Sequence, residues 1–169
     1  MHLPPLRLTC ADYAPTVVSE GEPAPDFTAM TDAGESVSLS DFRGKPVVLY
    51  FYPKSDTPGC TVQACGIRDA YAEFERAGAV VLGVSHDNEA KQVKFKEKYG
   101  LPFTLLADPE HEVAERYGTW GEKKFAGKKY WGISRTTFVI GPDGTVTKVM
   151  EKVKPDTHAD DVLAALGST

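Results

Sequence analysis

The chain has 169 residues, 41% hydrophobic and 25% charged, which is enough for one domain with a full hydrophobic core. A net charge of −5 and a pI near 5.4 argue against a general nucleic-acid binder. No apolar run approaches the roughly 20 residues needed to cross a membrane as a helix. The start, Met1 to Arg7, lacks the charged and continuously apolar stretches of a signal peptide. Three cysteines without an export signal point to a reducing cytoplasm, where paired cysteines are usually redox-active or metal-binding.

Residues 1–18 read as an extension, with three prolines, Cys10 and no clear period; a single domain is expected over 19–169. Asp26 to Thr31 and Val37 to Leu39 flank Asp32-Ala33-Gly34-Glu35, the pattern of a β-hairpin. Pro46 to Tyr52 is a β-branched and aromatic run, short enough for a buried central strand. Residues 59 to about 77 carry a helical stripe, Val62, Ile67, Ala70, Tyr71 and Phe74, ending before Gly78. Val80 to Ser85 predicts a second buried strand, and Asp87 or Asn88 caps a helix that ends at Gly100. Phe103 to Ala107 predicts a third strand, and Glu110 to Tyr117 a short helix closed by Gly118. Trp120, Tyr130 and Trp131 fall in a loop before Arg135, where simple packing outweighs a role as walls of an entrance. Thr136 to Ile140 and Thr145 to Val153, joined by Gly141-Pro142-Asp143-Gly144, form a second hairpin. Asp156 is placed to cap a last helix with Ala159, Val162, Leu163 and Leu166 on its inner side.

Strands separated by helices need parallel pairing with right-handed crossovers, and the closing hairpin adds antiparallel strands. The economical solution is an α/β domain with a mixed central sheet and helices on both faces. It is thioredoxin-like, with an added N-terminal β-hairpin. The basic clusters Lys91 to Lys98 and Lys123 to Lys129 are interrupted by acidic and aromatic residues and are expected to be solvated faces. His2, His86, His111 and His158 have no metal-ligand spacing with the cysteines, and Asp87 and Asp108 are explained by capping or turn formation.

The chemistry concentrates in Tyr50-Phe51-Tyr52-Pro53-Lys54-Ser55-Asp56-Thr57-Pro58-Gly59-Cys60, with Cys65 five residues on. A cysteine where a helix begins faces unpaired backbone N–H groups and the positive end of the helix dipole. Both favour the thiolate, the dipole by roughly 0.3–1 kcal/mol and up to about 2, and the thiolate is the nucleophile. In a continuous helix, residues five apart sit roughly 8–9 Å from Cα to Cα, whereas a disulfide needs about 4.4–6.8 Å. Cys60 and Cys65 therefore cannot bridge while the helix is intact, and oxidation to a disulfide must unwind its first turns.

Phe51-Tyr52-Pro53-Lys54, then Thr57-Pro58-Gly59-Cys60-Thr61 and Cys65, resembles the active-site segment of peroxiredoxins. Within them it is similar to the bacterioferritin-comigratory-protein or peroxiredoxin Q subfamily. The resemblance runs from about Gly21 to the C-terminus and includes Pro23-Ala24-Pro25-Asp26-Phe27 and Gly132-Ile133-Ser134-Arg135-Thr136-Thr137-Phe138.

It implies a thiol peroxidase that reduces hydrogen peroxide and alkyl hydroperoxides without metal, haem or flavin. Cys60 would be oxidised to a sulfenic acid, and Cys65 would resolve it. Thioredoxin or a glutaredoxin-like dithiol protein would reduce the disulfide. Arg135 would hold the thiolate and orient the peroxide with its fork of donors. Thr57 would donate to one peroxide oxygen and accept from the other, Pro53 would shield the sulfur, and the Cys60 N–H would be a further donor. Each has a plainer reading: Thr57 as a turn or cap residue, Pro53 as a strand terminator, Arg135 as a surface residue, Cys65 as a bystander. Gly59 is expected to matter for conformation, and Cys10 is not expected to take part. The chain is expected to be a monomer, or at most a weak dimer.

Rival readings remain. A thioredoxin-type disulfide oxidoreductase lacks its Cys-x-x-Cys. A metal or copper carrier lacks a companion histidine motif. A peroxide sensor or holdase would use the same sulfenic-acid chemistry.

Overall fold

The structure is a computed structural model and describes residues 17–167. Cys10 and the expected extension up to residue 16 lie outside the described residues. Val18 is already buried, and its N–H donates to the Tyr117 carbonyl at 3.3 Å.

β1 (Thr28–Thr31) and β2 (Ser36–Ser38) form the first hairpin, with Thr28 opposite Ser38 and Met30 opposite Ser36. β3 (Val47–Phe51) leads through the cysteine loop into α1 (Pro58–Asp69) and α2 (Tyr71–Arg76). β4 (Val80–Ser85), α3 (Glu89–Tyr99), β5 (Thr104–Ala107) and α4 (Glu112–Arg116) follow. Then come β6 (Trp120–Phe125), β7 (Lys128–Ile133), β8 (Thr136–Ile140), β9 (Val146–Glu151) and α5 (His158–Gly167).

Seven strands make one sheet in the order β2-β1-β5-β4-β3-β8-β9. β3, β4 and β5 are parallel, as their helical crossovers require, while β1 pairs antiparallel with β5 and β8 antiparallel with β3. This is the expected mixed, thioredoxin-like sheet. Both faces are covered. Alternate residues of β3 enter opposite layers: Val47, Leu49 and Phe51 pack with Val113 and Tyr117 of the α4 side, and Val48 and Tyr50 pack with Ile67, Phe74, Phe95 and Val162 of the other helices. A strand buried on both faces has no polar side, which is why its sequence is apolar without interruption.

Three local features differ from the sequence reading. The helix expected over 59–77 is two helices, because the backbone leaves helical geometry at Ala70 (φ −99°, ψ 9°). Ile67 and Phe74 bury in the same layer on either side of the break, so periodicity runs through it unchanged. α5 begins one residue later than Asp156 implies: the Thr157 carbonyl accepts from the Asp161 N–H and the Thr157 hydroxyl donates to the Asp161 carboxylate, both at 3.0 Å.

The third difference is β6 and β7, which replace the expected loop with a separate two-stranded ribbon. Its two-residue turn, Ala126-Gly127, has both φ values positive (51° and 79°), the geometry that matches strand twist. Tyr130 and Trp131 stay exposed, whereas Trp120 stacks on His111 at 4.0 Å. A ribbon outside the main sheet carries no clean alternation, so its strands left no apolar signature. Among the described residues no helix is long and apolar enough to cross a membrane.

Candidate active site

The cysteine loop joins β3 to α1 and is held from the side by α3. Tyr52, the last core residue before the loop, donates its hydroxyl to Gln92 Oε1 at 2.5 Å. The Ser55 hydroxyl donates to the same oxygen at 2.9 Å, and the Ser55 N–H donates to Asp87 Oδ2 at 2.7 Å. Gln92 uses its amide nitrogen on Ser85 Oγ (3.0 Å) and the Leu106 carbonyl (2.8 Å), so this fully buried side chain is satisfied at both ends. Asp56 adopts a left-handed φ of 59° and is pinned by Lys98 Nζ (2.9 Å) and the Tyr99 hydroxyl (2.7 Å).

Asp87 is therefore not the cap of α3. Asn88 is, accepting from the Lys91 N–H at 3.0 Å, and Gly100 closes the helix at φ 60°. Asp87 is buried and anchors the loop instead. Asp108 does serve a helix start, accepting from the N–H groups of Val113 (3.2 Å) and Ala114 (3.0 Å). Burial pushes its carboxyl upward against those bonds.

Thr57 occupies the cap position of α1 in extended geometry but makes no side-chain cap bond. Its hydroxyl donates to the Lys54 carbonyl at 2.8 Å. Pro58 takes the first helical position, where its missing N–H is no loss. Cys60 is then the third helical residue, buried, among the N–H groups that have no intrahelical partner. Pro53 is half-buried at the mouth of the loop.

Arg135 arrives from the other direction. Phe51 pairs with Thr136, which sets Arg135 beside the end of β3 where the loop begins. Its Nη1 donates to Gln63 Oε1 at 2.6 Å, and its Nη2 lies 3.0 Å from where a Cβ on Gly59 would stand. Gly59 thus matters for space: the guanidinium lies against α1 because nothing projects from that position. Gln63 in turn meets His158 Nδ1 at 3.2 Å, and His158 Nε2 meets Thr137 Oγ1 at 2.7 Å, all three residues being fully buried. Burial holds the His158 imidazole down at about 4, helped by the Arg135 charge and opposed by Asp161.

Cys65 is half-buried on the same unbroken α1, and both cysteines are free thiols. Lys123 departs from the expected solvated face: its ammonium donates to the Ile133 carbonyl, and burial, then Arg135, lower its proton affinity while Cys60 raises it. Tyr50 sends its hydroxyl against Gly83, 2.8 Å from where a Cβ would stand, and that oxygen has no partner among the described residues. Among the described residues no cluster of histidine, cysteine and carboxylate side chains suits a metal ion.

The structure therefore brings Cys60, Thr57, Pro53 and Arg135 to one corner, at the carboxyl end of β3. Sequence reasoning missed Gln63, Gln92, His158 and Asp87 in these supporting roles. A signal existed for the glutamines: each sits in an apolar stripe at helical spacing, Gln63 between Cys60 and Ile67, Gln92 before Phe95.

A thiol at a helix start beside a guanidinium, on a thioredoxin-like sheet, defines the class of thiol-dependent peroxidases. Residues 20–149 match the AhpC/TSA family, and the chain belongs to it; it is a peroxiredoxin. It is 51% identical over 149 residues to a putative peroxiredoxin Bcp of Coxiella burnetii, covering 88% of this chain and 99% of that one. It is 50% identical over 143 residues to the peroxiredoxin Bcp of Escherichia coli K12, covering 85% and 92%. The solved Xanthomonas campestris bacterioferritin comigratory protein, described for its alkyl peroxide reduction activity, superposes with a TM-score of 0.80 at 37% identity over 84% of this chain and 90% of that one.

Proposed function

We propose that Cys60 is the peroxide-reducing nucleophile and Cys65 its resolving partner, in a two-cysteine cycle within one chain. The observation that carries this is the position of the buried Cys60 at the start of α1, on the helix that Arg135 touches through Gly59 and Gln63. The Cys60 thiolate attacks one oxygen of a hydroperoxide. The S–O bond forms as the O–O bond breaks, sulfur loses two electrons, and the other oxygen leaves as alkoxide or hydroxide and takes up a proton. Arg135 supplies donors for the oxygen on which charge develops. The Thr57 hydroxyl has committed its proton to the Lys54 carbonyl, so its oxygen is an acceptor for the peroxide O–H.

The Cys65 thiolate then attacks the sulfur of the Cys60 sulfenic acid, the S–S bond forms as the S–O bond breaks, and hydroxide leaves and takes up a proton to become water. α1 must unwind for this, since it now spans both residues without a break. A dithiol protein, thioredoxin or a glutaredoxin-like one, returns both thiols by disulfide exchange. The substrates are hydrogen peroxide and alkyl hydroperoxides, the latter supported by the Xanthomonas relative. An intramolecular disulfide needs no second copy, which supports a monomer or weak dimer in the cytoplasm, with residues 19–169 as the single working domain.

The test is one equivalent of hydrogen peroxide on the reduced protein, followed by intact mass and disulfide mapping. Fast loss of two hydrogens with a Cys60–Cys65 linkage is expected. A lasting gain of one oxygen on Cys60 would make Cys65 a bystander, and an unreacted Cys60 would remove the proposal.

A further inference from the structure

We propose that His158 is a positioning residue for Arg135, acting through the amide of Gln63; this rests on the reading of Arg135 as the group that orients the peroxide. The hydrogen-bond chain Arg135–Gln63–His158–Thr137 crosses from the residue before β8 to α1 to α5 and back to β8, and it admits one assignment of its protons. Arginine has donors only, so the Gln63 atom 2.6 Å from Arg135 Nη1 must be the oxygen. The amide NH2 then faces His158 Nδ1, which must offer a lone pair. The imidazole proton is left on Nε2, where it donates to Thr137 Oγ1. His158 in this form acts as a selector: it accepts only from an amide whose oxygen faces the arginine.

The arrangement has two electrostatic consequences. Glutamine and neutral imidazole hold Arg135 without cancelling its charge, as a carboxylate partner would. Protonating His158 would put a donor on Nδ1 opposite the amide NH2, and the amide could then flip and turn donors toward the guanidinium. The charged and titratable groups around the ring are Arg135 from the segment before β8, Asp161 one turn along α5, and Tyr50 from β3 at a ring distance of 5.6 Å. Burial and Arg135 oppose the proton and Asp161 favours it, so the imidazole stays neutral through the working range of pH.

The experiment measures, by stopped flow, the second-order rate of Cys60 oxidation by hydrogen peroxide, and in parallel its alkylation by iodoacetamide, which makes no use of the arginine fork. His158→Leu is expected to lower the peroxide rate about tenfold, the loss of one orienting hydrogen bond, while alkylation stays within about twofold by the same reasoning. His158→Asn, whose Oδ1 can accept the Gln63 amide, is expected to restore most of it, without the acid limb near pH 4 expected of wild type.

An unchanged peroxide rate in His158→Leu overturns the proposal. So does a parallel fall of both rates in His158→Leu and His158→Asn, which marks a merely structural role. Should His158→Leu not fold, nitrogen-15 NMR of wild type decides: the Nε2–H tautomer supports the proposal and the Nδ1–H tautomer sinks it. A wild type no faster than a free thiol would instead remove the peroxidase reading itself, an outcome distinct from a fast wild type with an unaffected variant.

Discussion

Gln63 and Gln92 are two buried amides on the inner faces of two helices, and they support opposite sides of one site. Gln92 joins the hydroxyls of Tyr52, Ser55 and Ser85 and the Leu106 carbonyl, so it ties the cysteine loop to β4 and β5. Gln63 joins two side chains, Arg135 and His158, so it fixes a charge. The first needs every one of its bonds, because each partner is a buried polar group that would otherwise be orphaned. The second needs one orientation. Position of the nucleophile is thus secured by number of contacts, and position of the cation by direction.

Five measurements press on this contrast. The largest effect is expected from Arg135→Met, which removes the cation itself: kcat/KM for hydrogen peroxide should fall about 10²–10³-fold, as for other groups that stabilise developing oxygen charge. A fall of less than threefold would show that Gln63 holds nothing that matters. Gln92→Leu should lower unfolding free energy by about 3 kcal/mol, since several buried groups lose their partner together, read as a shifted urea midpoint. Gln63→Leu should disturb that midpoint less and the peroxide rate more; the reverse order would undo the distinction.

Stability should also depend on pH through His158. Its folded value near 4 lies below the ordinary value of 6.5, so the unfolded chain takes up the proton first. The contribution is fully present above about pH 6.5 and is lost as the pH falls toward 4, by about 3 kcal/mol in all. Urea midpoints at pH 7.5 and 4.5 should therefore differ more in wild type than in His158→Asn. The smallest effect is expected from Gly59→Ala. Its Cβ would crowd Arg135 Nη2 at 3.0 Å, and a flexible guanidinium can give way. The peroxide rate should drop about fivefold, roughly 1 kcal/mol, with the melting temperature nearly unchanged.

Much of this molecule was legible in its residues because local rules and global packing agree there. β3 is apolar throughout and β4 nearly so, since both faces are covered, while Gly100 marks the end of α3 and the Gly141-Pro142-Asp143-Gly144 turn the join of β8 and β9 by backbone chemistry. Cys60 was legible from its place after Pro58 and Gly59. The break at Ala70 was not, because an apolar stripe continues across it. The β6–β7 ribbon was not, because strands outside the main sheet need no buried face. His158 and Gln63 were hidden for a different reason: their meaning is relational. A histidine at the start of α5 and a glutamine inside α1 are 95 positions apart, and nothing local says that an arginine will lie between their tasks.

Gln63 lies between the two cysteines that the proposed cycle joins. To bring Cys65 to Cys60 in that cycle, the turn carrying this amide would have to leave its pocket and release Arg135. The grip of one side chain would thus act as a timer on the oxidised enzyme. While it holds, the sulfenic acid stays beside an assembled peroxide site and is open to a second, damaging oxidation. Once it slipped, the site would be dismantled and the sulfur safe. Tolerance to a burst of peroxide would then be tuned by how readily a glutamine lets go.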